Sequence, residues 1–221
     1  MVEINDAFID VVVGYSKKVC SEIEITHSVE HVERVVKLAA FLSKNEGADG
    51  NIVKISAWLH DIGYVGMSKQ EMINKDHAAI SAKLAQEFLE KNGLDSEKIE
   101  KICDGIRTHR NSRVCANSSV EAKCLHDADK LDCIGIRGLF RMFVWDTTIE
   151  PKEYHTLSEY LAHLKKSVIE KENVLLTNTA RCLARKWNEH AFETLENYRN
   201  EELLKEITSN EEYVKSRKAT E

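Results

Sequence analysis

Apolar residues recur every three to four positions along most of the chain, the period of an α-helix with one buried face. Ala7, Phe8, Val11, Val12, Tyr15 and Val19 predict a first helix over about 5–20. The same period predicts a helix over about 29–42, stopping at Asn45-Glu46-Gly47. Residues 51–62 are apolar almost all round (Ile52, Ile55, Ala57, Trp58, Leu59, Ile62), which predicts a short buried helix. Gly63 and Gly66 read as the opening of a loop. Asp76, and then Asp95 or Ser96, are N-cap candidates for helices running to about Asn92 and Thr108. A polar loop is expected over 110–118. Beyond it, helices are expected over about 119–133, 136–144, 156–170 and 177–207. The last is heavily charged, which predicts a half-exposed outer helix, and the tail beyond Ser209 is expected to fray.

Composition turns this pattern into a fold class. Pro151 is the single proline in 221 residues, and there are only nine glycines. Helix interiors exclude proline, whereas sandwiches and barrels need many Gly- and Pro-rich turns. The expectation is an all-α helical bundle with at least seven helices and no strand beyond about three residues. The length allows one domain over 1–221 with a core that needs no disulfide or zinc staple. Within it, about 25–141 carries the candidate chemistry, and C-terminal helices follow over about 156–207.

Charge and cysteine content narrow the partners. With 31 Lys and Arg against 37 Asp and Glu the net charge is −6, and the pI is about 5.9. That balance argues against long nucleic acid or an anionic membrane as partner, while leaving room for a small basic pocket that binds phosphate. A homodimer is left open. The six cysteines show no C-x-x-C spacing and read as free thiols of a reducing compartment. No signal segment and no membrane-length apolar run is visible, so a cytoplasmic protein is expected.

Six of the nine histidines lie between His27 and His126. His60-Asp61 closes the most apolar helix, where an ionisable pair is costly unless partners or a metal compensate it. The plain alternative is a helix-ending aspartate beside a hydrogen-bonded core histidine. His27 and His31 are four residues apart with Arg34 following, a face that suits a metal and an anion, or two surface histidines. Asp127, Asp129 and Asp132, with Lys130 among them, form either an exposed acidic face or the oxygen ligands of a hard cation.

In order, His31-Val-Glu-Arg34-Val, Leu59-His60-Asp61-Ile62-Gly63 and Asp127-Ala128-Asp129-Lys130-Leu131-Asp132 resemble the HD phosphohydrolase superfamily. Those are all-helical, metal-dependent enzymes that hydrolyse phosphate esters and anhydrides. The resemblance implies one divalent ion (Mn²⁺, Mg²⁺ or Fe²⁺, with Zn²⁺ or Ni²⁺ also suited) on His31, His60, Asp61 and Asp129. It gives Asp61, His77, His109 and Lys130 catalytic roles. It places His27, Arg34, Asp127, Asp132, Arg137 and Arg141 in contact with a small phosphorylated substrate, a nucleotide first among the candidates. In related enzymes with two metals, the positions of His77 and His109 hold the second. Arg110 stands where such relatives often have another histidine, which favours one ion here. Tyr64 stands where some branches have a catalytic glutamate or a lysine. That departure supports the alternative, a non-catalytic metal-binding sensor or scaffold on the same fold.

Overall fold

A computed structural model describes residues 2–110 and 114–202. Among these residues there are ten α-helices and no strand, only an isolated bridge between Val2 and Leu94. The helices are α1 Asp6–Cys20, α2 Val29–Glu46, α3 Gly50–Leu59, α4 Lys69–Asn74 and α5 His77–Lys91. They continue with α6 Ser96–Thr108, α7 Val120–Leu131, α8 Gly135–Thr148, α9 Leu157–Asn173 and α10 Asn178–Glu202. The expected end of the last helix near 207 and the fraying tail lie outside the described residues, as does 111–113 of the polar loop.

The caps explain most boundaries. Asp49, Asp76, Asp95, Ser119 and Thr156 each accept a hydrogen bond from a first-turn amide of the helix that follows. Gly47 ends α2 in the left-handed region at φ 73°, where a side chain would be strained. One helix was not expected. The 63–76 segment contains α4, started by a capping box in which Ser68 and Glu71 satisfy each other's backbone amides. The Ser-x-x-Glu signature was present, but six residues show too little periodicity to stand out.

α3 lies at the centre of the main core. Ile52, Val53, Ile55, Ala57 and Leu59 are all buried, packed with Val32, Val35 and Leu42 of α2 and with Ile102, Ile106, Leu125 and Leu131 of α6 and α7. α3 therefore ends deep inside the protein, and His60-Asp61 is delivered to its middle. A second, smaller cluster (Leu139, Leu164, Val168, Ala191) joins α8, α9 and α10. No described helix is long and apolar enough to cross a membrane.

Asp127 fastens this C-terminal layer to the core. Its carboxylate is fully buried and accepts from the Leu176 amide, the Thr177 amide (2.6 Å) and the Thr177 hydroxyl (2.7 Å). His126 Nδ1 lies 2.8 Å from its other oxygen. The Thr177 hydroxyl in turn accepts from Ala180 at the start of α10. This corrects the expected substrate role of Asp127: a carboxylate whose oxygens are saturated by backbone and buried has nothing left to offer a ligand. Asp127→Ala should destabilise the protein by about 2–4 kcal/mol in urea unfolding, as expected for stranding several buried donors. Metal content should stay unchanged, whereas a substrate-binding Asp127 would change ligand affinity with little loss of stability.

Candidate metal centre

Each donor is placed by a simple local device. His60 is the C-cap of α3, and its Nδ1 lies 2.8 Å from the Ala57 carbonyl one turn back. His109 is the C-cap of α6 and repeats the arrangement on the Ile106 carbonyl at 2.6 Å. A carbonyl can only accept, so Nδ1 carries a proton in both rings and Nε2 is the nitrogen turned toward the cluster. His31, in the first turn of α2, donates from Nδ1 to Asp132 (2.8 Å) with the same result. Such outer partners are how metal-binding imidazoles are oriented.

The three Nε2 atoms and His77 Nε2 converge on Asp61, which is 2% exposed. Asp61 Oδ2 lies 3.3 Å from His31 Nε2 and 3.2 Å from His60 Nε2. Asp61 Oδ1 lies 3.6 Å from His77 Nε2 and 3.9 Å from His109 Nε2. Asp129 Oδ1 is 3.5 Å from His31 Nε2 and 4.0 Å from His60 Nε2. Two donor sets result, each with ligand atoms within 4.8 Å of one another: His31, His60 and Asp129, and Asp61, His77 and His109. The second set is made of Asp61, His77 and His109 and does not include position 110.

The residues fit a cation. His31 Nε2, His60 Nε2 and Asp61 Oδ2 are buried with no hydrogen-bond partner. Stranded polar atoms cost about 1–3 kcal/mol each, and three that face one point are what a metal ion would satisfy. Mixed imidazole and carboxylate donors suit divalent ions of intermediate hardness.

Electrostatics prepare the set. Burial opposes a charge on His60, but the carboxylates of Asp61 and Asp129 outweigh it and raise its pKa to about 9. Burial, with the positive neighbours Arg141 and His60 respectively, lowers the pKa of His31 and of His109. Burial pushes His77 down to about 4. Against burial, His60 and His31 hold Asp61 well below the usual carboxylate range, and Lys130 and His60 do so for Asp129. Without metal, the cluster thus keeps one proton on His60 beside two carboxylates.

Lys130 Nζ lies 2.6 Å from Asp129 Oδ2 and lines the cavity. Asp132 is fully buried and gathers His31, Arg34 (2.7 Å) and Arg141 (3.0 Å), with Arg137 at 3.5 Å. Its expected substrate contact is corrected: it orients the His31 ring and anchors two arginines. Arg34 is spent on this carboxylate, and both it and the half-exposed Arg137 lie off the cavity wall, which corrects their expected contact as well. Arg141 and His27 do line the cavity; Arg141 also donates to the Thr26 carbonyl, and His27 pairs with Glu24 at 2.6 Å. Tyr64 is buried between two rings, stacked on His77 at 4.1 Å and tilted against His27 at 4.4 Å. Gly63 permits this packing: a Cβ there would lie 2.5 Å from the His77 carbonyl oxygen and 2.7 Å from the Ser81 amide.

Asp61, Tyr64, His77, His109, Asp129 and Lys130 open into one cavity of about 630 Å³. Its far wall comes from Met142, Trp145, Lys152, His163 and Lys171, none of which any sequence motif indicated.

Fold and donors together define an all-helical protein with an internal histidine–aspartate metal-type centre. Residues 28–134, the segment that carries His31, His60, Asp61 and Asp129, match the HD domain family. It is 29% identical over 162 residues to the YpgQ protein of Bacillus subtilis strain 168, across 72% of this chain and 76% of that protein. Its structure resembles that of Bacillus subtilis YpgQ in complex with ADP, with a TM-score of 0.69 and 24% identity, covering 87% of this chain and 94% of that one. It also resembles a predicted HD superfamily hydrolase from an uncultured Thermotogales bacterium, with a TM-score of 0.61 and 25% identity over 89% and 92% of the two chains.

Two outcomes follow. His60→Ala should lose bound metal in elemental analysis while keeping its helical circular dichroism. Binding also requires the His60 proton to leave, since only the neutral ring ligates. Below a pKa of about 9 each binding event displaces that proton, so affinity should rise up to about tenfold per pH unit as pH climbs toward 9, then level off. Calorimetry in buffers of different ionisation enthalpy would count the proton released.

Proposed function

We propose that the chain is a divalent-metal-dependent phosphohydrolase acting on a small phosphorylated substrate, a nucleotide, in the cytoplasm. One observation carries this reading: three buried donor atoms without a hydrogen-bond partner, two of them histidine nitrogens 3.2–3.3 Å from the third, an oxygen of Asp61, which lines a substrate-sized cavity. The cationic groups beside them support phosphate chemistry. Lys130 and Arg141 both line that cavity, where they would neutralise charge on phosphoryl oxygens. The complex of the similar YpgQ protein with ADP supports a nucleotide.

A bound divalent ion supplies Lewis acidity toward a phosphoryl oxygen and a bound water of lowered pKa. His31, His60 and Asp129, with Asp61, would hold it. The protein's own part is orientation and proton transfer. Asp61 and Asp129, kept ionised, are the groups that can accept a proton from an attacking water. His77 and His109, held neutral, would either help Asp61 hold a second ion or hydrogen-bond the phosphoryl group. The separate orientation of the two Asp61 oxygens favours the two-ion arrangement.

A panel of phosphorylated metabolites with added Mn²⁺ tests this reading. Wild type should release phosphate or pyrophosphate from at least one nucleotide, and Asp129→Ala should cut kcat by about 10³-fold or more, as expected when a charge-stabilising centre is dismantled. Tight metal binding without turnover on any substrate would instead establish the sensor or scaffold.

A further inference from the structure

The cavity runs away from the metal-type donors to a wall built by α8, the segment that follows it and α9. That wall lies beyond the residues that match the HD family. Behind it is Asp146, 2% exposed. A carboxylate this deeply buried needs partners, and it has two. Lys152 Nζ lies 2.9 Å from its Oδ1, and His163 Nε2 lies 3.0 Å from its Oδ2. Burial works against the Lys152 charge, but the bond to Asp146 prevails and raises its pKa. Burial, then the Asp146 charge, pushes the Tyr160 hydroxyl up to about 12, so it remains an uncharged neighbour.

Lys152 balances the carboxylate charge, and His163 supplies an Nε2–H. That fixes the tautomer and leaves the Nδ1 lone pair as the acceptor of the ring. The Tyr154 ring lies 5.3 Å from the imidazole and restricts its rotation. The His163 side chain is 24% exposed, on the cavity wall, and Nδ1 has no hydrogen-bond partner in the described protein. A tie between α8 and α9 needs only Nε2. The oriented second nitrogen is surplus to that role.

We propose that His163, held by Asp146, is a specificity-determining residue whose Nδ1 accepts a hydrogen bond from the nucleoside end of the substrate, from a sugar hydroxyl or an exocyclic amine. This rests on the nucleotide reading above. Trp145 and Met142 line the same cavity and offer an apolar surface for the sugar or base. The metal-type donors take the phosphoryl end, and His163 distinguishes what is attached to it.

The test uses the full chain with Mn²⁺ and measures both binding by calorimetry and hydrolysis. The probes are ADP, its 2′-deoxy and 3′-deoxy forms, inosine diphosphate, and phenyl phosphate, which has no nucleoside. Wild type should bind one of the three analogues about 3- to 10-fold more weakly than ADP, the scale of one neutral hydrogen bond. The analogue affected identifies the donor as 2′-hydroxyl, 3′-hydroxyl or amine. His163→Gln keeps an amide N–H for Asp146 and replaces the Nδ1 acceptor by an amide oxygen displaced from the Nδ1 position. It should lose the same factor on ADP, no longer discriminate the analogue, and leave phenyl phosphate unchanged. His163→Phe, which keeps a ring beside Tyr154, gives the same readout if the glutamine variant does not fold. Equal binding of ADP and all analogues by wild type would overturn the proposal. So would undiminished discrimination by the variants, or an equal loss on phenyl phosphate, which marks a purely structural tie. Failure of the nucleotide reading looks different: phenyl phosphate is turned over while no nucleotide binds or reacts, and the proposal falls with it.

Discussion

Asp61 carries a negative charge in the interior of the protein with four imidazole nitrogens within 3.9 Å of its two oxygens. A buried carboxylate surrounded by rings that mostly do not hydrogen-bond it is costly on its own. The rest of the architecture is arranged around keeping it there. α3 is apolar on nearly every face, so its C-terminal end is drawn to the centre of the bundle with His60-Asp61 attached. The surrounding histidines are turned toward the same point by bonds from their far nitrogens, to carbonyls of their own helices or to Asp132. A divalent ion converts this accumulation of lone pairs and charge from a cost into a binding energy.

Close backbone approach makes the second half of the centre. α5 begins against Gly63, and its first residue is His77. The Gly63 amide also donates to Ser81 Oγ at 2.9 Å, which fixes the register of α5 on the turn that carries Asp61. The donor pair on α3 and the donor that opens α5 are therefore one mechanical unit. Tyr64 completes it by stacking on His77. Its hydroxyl stays protonated, since burial and the nearby Asp61 charge raise its pKa. At this position the side chain supports the rings and brings no ionised group.

The C-terminal helices supply a different kind of control. Asp127 and the Asn188 amide, which accepts from Gly135, clamp α10 and α8 to the helices that carry the histidine–aspartate cluster. That places the opposite wall of the cavity at a set distance from the donors. The half with the clustered histidines and aspartates forms one side of the cavity, and α8 and α9 form the other. The two walls thus sit on separate packing layers, one tied into the main core and one on its own small cluster.

Helix positions and the all-α class were legible from the sequence alone, because periodicity and proline content are local properties, while the grouping of His31, His60, Asp61 and Asp129 was implied by the resemblance of the three motifs. α4 was missed, since six residues carry too little period. Residues whose meaning depends on who faces them were not legible. Asp127, Asp129 and Asp132 sit within six residues and look alike in sequence. On α7 and its C-cap they point in different directions, so one meets the start of α10, one the histidines and one the arginines. Arg34 and Arg137 looked free for phosphate until folding placed Asp132 beside them. His163 carried no motif at all and became notable only when Asp146, a distant residue in the chain, packed against its ring. The sequence by itself determined which segments become helices and which donors can bind a metal. Only the tertiary structure decided which charges neutralise each other and which remain facing the cavity, because burial and partner geometry, not residue type, decide whether a polar side chain is spent or available.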